Sequence, residues 1–230
     1  MIMAFFSRFT KLMKSEPVVG KRKMRNSAWT IDESKCLTFD EVKRLRDFCE
    51  SGRITGLQSG KFTPIRNWFM IELGLNAGLR VQEIASLKHS NLLLDGDRSS
   101  LLVVGKRNKK RSIWINSEFK KTCEAYLEYK KSFGYQTHDD AYLLNNLKGE
   151  AISKRALQKF FKSIAKRAGL PTHYHIHNLR HTYSTFFLKA SQNNYRFLQD
   201  QLGHSSITTT QVYAAVVESE GRKALEKLYR

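Results

Sequence analysis

Cysteine is scarce in this chain, and the little there is carries no pattern. Cys36, Cys49 and Cys123 stand far apart, with neither the close pairs that ligate zinc nor the even framework of a disulfide-stapled secreted domain. Cys49 and Cys123 fall on the apolar faces of helical segments, which predicts buried, reduced thiols and a cytoplasmic setting. Long apolar runs are missing as well, so nothing approaches the length of a membrane span and no membrane partner is expected. The opening MIMAFFSRFTKLMK has too short an apolar stretch for a secretory signal and no small-residue cleavage site. There is no internal repeat and no HExxH pair, and acidic residues are in deficit: 21 Asp and Glu face 40 Lys and Arg.

What is present is positive charge, +19 in 230 residues with a pI near 10.0. Charge of that size points to a polyanion as partner and says nothing about the fold. It is also clustered, since Lys106, Arg107, Lys109, Lys110 and Arg111 put five cations into six residues.

The chain reads as one domain with an N-terminal appendage. Residues 1–14 can form an amphipathic helix with Phe5, Phe9, Leu12 and Met13 on one stripe. Residues 15–35 hold a Pro, a Gly and the basic run KRKMR, and read with the first helix as an arm, residues 1–36. The domain proper, residues 37–230, opens at Leu37. Thr38 and Glu41 are spaced as a capping box and Leu37 with Val42 as a staple, which predicts a helix over 39–50 ending at Gly52. Thr63-Pro64 starts a second helix that buries Trp68, Ile71 and Leu75 and stops at Gly78 in a left-handed turn. A short helix over 81–87 follows. Strands are expected near 92–94, 101–105 and 111–115, joined by the Asp95-Gly96 turn and a turn over 106–110. Ser117 and Ser153 are expected to cap two further helices, the second ending at Gly169. The fold class is therefore α+β, mainly helical with a small three-stranded antiparallel sheet.

The chemistry gathers between His175 and Ala215. His177 and Arg180 are three apart and share a helix face. Tyr213 lies nine residues after His204, in a segment rich in Ser and Thr. An oxyanion reached by Arg, His and Tyr together fits phosphate, because Arg presents a fork of donors. The rival is a metal site, since His173, His175, His177 and His181 are crowded, but no Cys pair or HExxH accompanies them.

HNLRHTYST, LGHSSITTTQVYA and, upstream, AGLRVQEIASL resemble the three signature boxes of the tyrosine recombinase (phage integrase) family, in the right order and with a lysine hairpin between. The likeness runs from about Leu37 to the C-terminus and covers the family's catalytic domain. The family's usual core-binding domain of roughly a hundred residues has no counterpart in residues 1–36, which suggests a small form. The resemblance implies a site-specific DNA recombinase that cleaves and rejoins strands through a 3′-phosphotyrosyl intermediate, in integration, excision or inversion. It implies no cofactor and no metal, double-stranded DNA as partner, a tetramer on two DNA sites and a place at the nucleoid. By the same resemblance Arg80 and Arg180 clamp the phosphate, His177 transfers a proton and touches the phosphate, and His204 is a second phosphate contact. Lys106 is the general acid, with Lys109 as the fallback because GKRNKKR departs from the common GKGNK. Tyr213 is the nucleophile.

Several residues keep a second reading. Arg80 can equally be a surface residue paired with Glu83, and Glu83 is expected to orient it. The hairpin cations Arg107, Lys109, Lys110 and Arg111, with Lys106, can contact DNA backbone only. The whole chain can be a decayed or regulatory DNA-binding protein of the same fold. Asn193-Asn194 stands where the family has a glycine-bearing turn, and Asn tolerates the left-handed conformation. Val216, Val217, Ala224, Leu225 and Leu228 form an apolar stripe expected to join protomers, the alternative being that it folds back on its own domain.

Overall fold

The computed structural model describes residues 35–95, 98–105, 110–191, 194–203, 225, 226 and 228. The expected arm, the turn after Asp95 and most of the C-terminal stripe lie outside these residues.

Among the described residues seven α-helices and three short strands follow one another in the order α1 (Phe39–Gln58), α2 (Phe62–Ala77), α3 (Val81–Ser86), β1 (Leu92–Leu93), β2 (Ser100–Val104), β3 (Lys110–Trp114), α4 (Ser117–Ser132), α5 (Lys154–Arg167), α6 (Ile176–Ala190) and α7 (Tyr195–Leu202). The strands form one antiparallel sheet in the order β1-β2-β3. The expected mainly helical α+β class with a three-stranded sheet is what is found.

Helix α2 is the centre. Thirteen of its sixteen residues are buried, which is the pattern of a helix enclosed on all sides rather than of one lying on a surface. It packs against α1, α4, α5 and α6. Phe69 stacks on Tyr126 of α4 with ring centroids 3.8 Å apart. Close approach to α6 is made possible by Gly74, where a Cβ would come within 2.6 Å of the Leu179 side chain.

The start of α1 is as its sequence predicts. Thr38 Oγ1 accepts from the Glu41 N–H at 3.2 Å and Glu41 Oε2 accepts from the Thr38 N–H at 2.8 Å. Its end is not. The helix runs through Gly52 to Gln58, and the residue that leaves the helical region is Gly60, at φ +67°. A mid-helix glycine costs about 1 kcal/mol, which packing against α2 offsets. Gly56 is itself required there, because a Cβ would meet the Lys61 carbonyl at 2.7 Å.

One cap also differs from expectation. The N-cap of α4 is Asn116, whose Oδ1 accepts from the Phe119 N–H at 2.8 Å, while Ser117 is already helical. Asn194 is not left-handed but sits at φ −69°, ψ 74°. Its Oδ1 accepts from the Phe197 N–H at 3.1 Å and so starts α7. Ser153 caps α5 as expected, through the Ala156 N–H, and Gly169 takes φ +70°.

A second apolar cluster joins Tyr183, Phe187, Phe197, Leu198 and Leu202 to Leu225 and Leu228. Asn116 Nδ2 donates to the Leu225 carbonyl at 3.0 Å, and the Ser117 N–H donates to Glu226 Oε1 at 3.0 Å. Leu225 and Leu228 therefore pack on the chain's own domain, while Val216, Val217 and Ala224 of that stripe lie outside the described residues. None of the three cysteines is in a disulfide, and all three are buried. Among the described residues no helix is long and apolar enough to cross a membrane.

Candidate active site

The first box is built by a glycine. Gly78 ends α2 in the left-handed region, at φ +57°, where an L side chain is strained. A Cβ there would also strike the Tyr183 ring at 2.4 Å. The turn leaves Arg80 as the residue just before α3, with its backbone N–H donating to Glu83 Oε2 at 2.8 Å and its Nη1 donating to Glu83 Oε1 at 3.1 Å. Glu83 thus bonds Arg80 through both its backbone and its side chain. The Arg80 side chain keeps 41% of its surface exposed while Glu83 keeps 5%.

The second box brings α6 to the same carboxylate. Arg180 is buried, its Nη1 donating to the Gly78 carbonyl at 2.8 Å and its Nη2 to the Leu202 carbonyl at 3.0 Å. Its Nη1 lies 4.0 Å from Glu83 Oε2. One guanidinium therefore ties together the end of α2, α6 and the end of α7. Burial, and then the charge of Arg80, bring its pKa down to about 9, against the pull of Glu83. It stays cationic at neutral pH.

His177, one helical turn before Arg180, is on the exposed side of α6. Its ring meets that of His181 edge-on with centroids 4.8 Å apart. The protein around the ring, then His181, Arg180 and Arg80, hold its pKa below the ordinary histidine value. A neutral imidazole at pH 7 can accept a proton. The α6 start is fixed by Asn178, whose Oδ1 accepts from the His175 N–H at 2.6 Å.

Arg111 is placed otherwise than expected. Rather than facing outward among the hairpin cations, it donates from Nη1 and Nη2 to Glu83 Oε1 and Oε2, both at 2.9 Å, and from Nε to the Gln201 carbonyl at 3.0 Å. The strand pattern explains it: Arg111 shares a face with Ile113, whose partner across the sheet is buried Leu101, and side chains alternate faces along a strand. A period-two count from Ile113 was the signal available in the sequence. Lys110, on the other face, is exposed. Because of these bonds Glu83 stays below the usual carboxylate range, although burial alone would push it up.

Lys106, Arg107, Lys109, His204 and Tyr213 lie outside the described residues. Their chain neighbours converge, however. β2 and β3 pair up to Val104 opposite Lys110, which puts both ends of the Lys106 hairpin beside each other. α7 packs against β3, and Gly203, just before His204, takes φ +65°. Of the expected residues the structure therefore gathers Arg80, Glu83, His177 and Arg180, with Arg111 added.

Sequence reasoning missed the solvent face of α5. Arg155, Gln158, Lys159 and Lys162 line a hollow of about 450 Å³ that reaches His175 and Ile176 at the start of α6. Lys162 Nζ donates to the Thr172 carbonyl at 2.6 Å, which ties α5 to the loop entering α6. The face carries no motif, but its cations recur at helical spacing opposite buried Leu157, Phe161 and Ile164. Among the described residues no three His, Cys, Asp or Glu side chains are grouped to hold a metal ion.

The phage integrase family profile matches residues 35–220. Tyrosine recombinase XerC of Caldanaerobacter subterraneus subsp. tengcongensis is 34% identical over 179 residues, 77% of this chain and 49% of that protein. XerC of Escherichia coli O127:H6 is 34% identical over 169 residues, 73% of this chain and 54% of that protein. The chain thus spans about half the length of the curated relatives it matches. The crystal structure of XerA recombinase superposes with a TM-score of 0.61 at 27% identity, over 84% of this chain and 63% of that one. By its match over residues 35–220 and the three boxes within it, the chain belongs to the phage integrase family.

Proposed function

We propose that the protein is a site-specific DNA recombinase that cleaves and rejoins strands through a tyrosyl intermediate. The observation that carries this reading is the meeting of Arg80 and Arg180, from helices a hundred residues apart in sequence, on the one buried carboxylate of Glu83. Two fixed cations at one spot suit a phosphodiester, whose negative oxygens otherwise repel a nucleophile.

In the proposed reaction the Tyr213 oxygen attacks the scissile phosphorus and the bond to the 5′-oxygen breaks. The phenolic proton passes to neutral His177, and Lys106 gives the leaving 5′-oxygen its proton. The product is a 3′-phosphotyrosyl ester with a free 5′-hydroxyl. A 5′-hydroxyl from a partner strand reverses the step on a new end, so bond energy is retained and neither ATP nor an oxidant is consumed. Two duplexes have four strands, each needing a nucleophile, which makes the working assembly four protomers on two sites. XerH, whose fold superposes with a TM-score of 0.60 at 20% identity, was crystallised on its difH substrate.

Residues 37–230 are the catalytic domain in this reading and residues 1–36 a basic arm along the DNA. The α5 face supplies backbone contacts beside the hairpin cations Arg107, Lys109 and Lys110. A helix of fourteen residues is about 21 Å long and of a width the major groove admits.

The test is adduct trapping on a nicked suicide duplex, which loses the short fragment that would religate. Wild type is expected to accumulate a covalent protein–DNA species and Tyr213→Phe to bind the same duplex without forming one. DNA binding with no adduct from wild type would instead mark a regulatory DNA-binding protein.

A further inference from the structure

We propose that Arg111 is a positioning residue whose task is to occupy Glu83, so that the carboxylate holds Arg80 and Arg180 in place without neutralising them. The inference rests on the phosphate-clamp reading above. Arg111 meets both oxygens of Glu83 in a two-pronged pair at 2.9 Å, while Arg80 Nη1 touches only one, at 3.1 Å, and Arg180 stands off at 4.0 Å. The fork-on-fork pair is the stronger geometry. Arg111 and Glu83 side chains are 13% and 5% exposed, whereas Arg80 is 41% exposed. The buried partner thus takes most of the carboxylate's charge, and the exposed one is left to face solvent.

Charge counting shows why this matters. Arg80, Arg180, Arg111 and Glu83 sum to +2, which matches the two negative charges of a phosphodiester under attack by a phenolate. Without Arg111 the sum is +1, and among the described residues the cations then left on Glu83 are those needed by the phosphate. Around a carboxylate as buried as Glu83 such an imbalance is felt more than at the surface.

The same side chain also joins two elements that lead into the chemistry. Arg111 follows the Lys106 hairpin by one residue into β3, and its Nε holds the Gln201 carbonyl of α7, three residues before His204. The crossing is close: a Cβ on Gly203 would lie 2.7 Å from Arg111 Cδ. Arg111 is thus the side chain through which the hairpin strand, the clamp and the approach to the nucleophile share one carboxylate.

The experiment compares suicide duplexes carrying an ordinary phosphodiester or a methylphosphonate at the scissile position, each rate taken relative to wild type on the same duplex. The methyl group removes one negative charge, so a clamp of +1 suffices. Arg111→Met is expected to cleave the phosphodiester about 100-fold more slowly, the size of losing one transition-state charge contact, yet the methylphosphonate within about threefold of wild type. The double variant Glu83→Gln/Arg111→Met restores the sum to +2 and is expected to cleave the phosphodiester at least about tenfold faster than the single variant. Equal losses on both duplexes, with no recovery in the double variant, would mean Arg111 only supports the fold and would overturn the proposal, as would an unimpaired Arg111→Met. If wild type forms no adduct on the phosphodiester, the recombinase reading itself fails and this inference with it.

Discussion

His177 is the residue at which charge state and chemistry are most directly joined. Its pKa is held below the ordinary value of about 6.5 by the protein packed around its ring and by three neighbouring positive or protonatable groups. The neutral form therefore persists further into acid than for a free histidine, and adduct formation should stay level from pH 8 down to about 6.5 and fall only below it. An acid limb above that point would show that His177 is not the base. Arg180 differs in kind, being held on two backbone carbonyls. Arg180→Lys keeps the charge but cannot span Gly78 and Leu202 together, so we expect adduct formation to drop about 100-fold or more. At this scale the sequence was legible where spacing determines placement, as for His177 and Arg180 one turn apart on α6. It was misleading for Arg111, because a run of five cations hides which one of them falls on the inner face of a strand.

At the scale of elements, glycine does two different jobs, and a sequence does not label them. Gly78 and Gly60 end helices in the left-handed region, while Gly52, Gly56 and Gly74 sit inside helices, the last two where another part of the chain comes close. The end of α1 was read at the wrong glycine for that reason. The close approach of α2 to α6 fixes how Arg180 reaches Gly78, so Gly74→Ala should lower stability by about 1–3 kcal/mol and slow cleavage as well, read by chemical denaturation and adduct formation on the same preparation. Lys130 offers a pH test of the packing around α4. Burial lowers its pKa to about 8, and its Nζ contacts His89 Nε2 at 2.8 Å and the Tyr142 carbonyl. Its folded value lies below the unfolded value of about 10.4, so the unfolded chain binds the extra proton between those limits and stability gains with rising pH. Lys130→Met should lack that gain, and the pH dependence of the two proteins should differ between pH 8 and 10.4 and run parallel outside it.

For the molecule as a whole, the charge of +19 acquires a direction only once the α5 face and the exposed Lys110 are placed. Substituting Arg155 or Lys159 by alanine should each reduce the slope of log affinity against log salt by about 0.9, with equal effect on all DNA sequences. Lys121, exposed on α4, should leave the slope unchanged. The fold class, the boxes and the strand order could be read from the sequence because each is written in local periodicity or spacing. The α5 face and the docking of Leu225 and Leu228 could not, since both depend on which surfaces the remaining helices leave uncovered. The central claim, that Tyr213 forms the covalent link, can be tested on the trapped adduct itself. Trypsin cleavage after Arg196 and Arg222 releases a peptide in which Tyr213 is the one tyrosine of the chain's nine. Mass spectrometry of the nuclease-trimmed adduct should find the nucleotide on that peptide, joined through a 3′-phosphate to Tyr213. A nucleotide on any other tyrosine, or joined through a 5′-phosphate, would contradict the account.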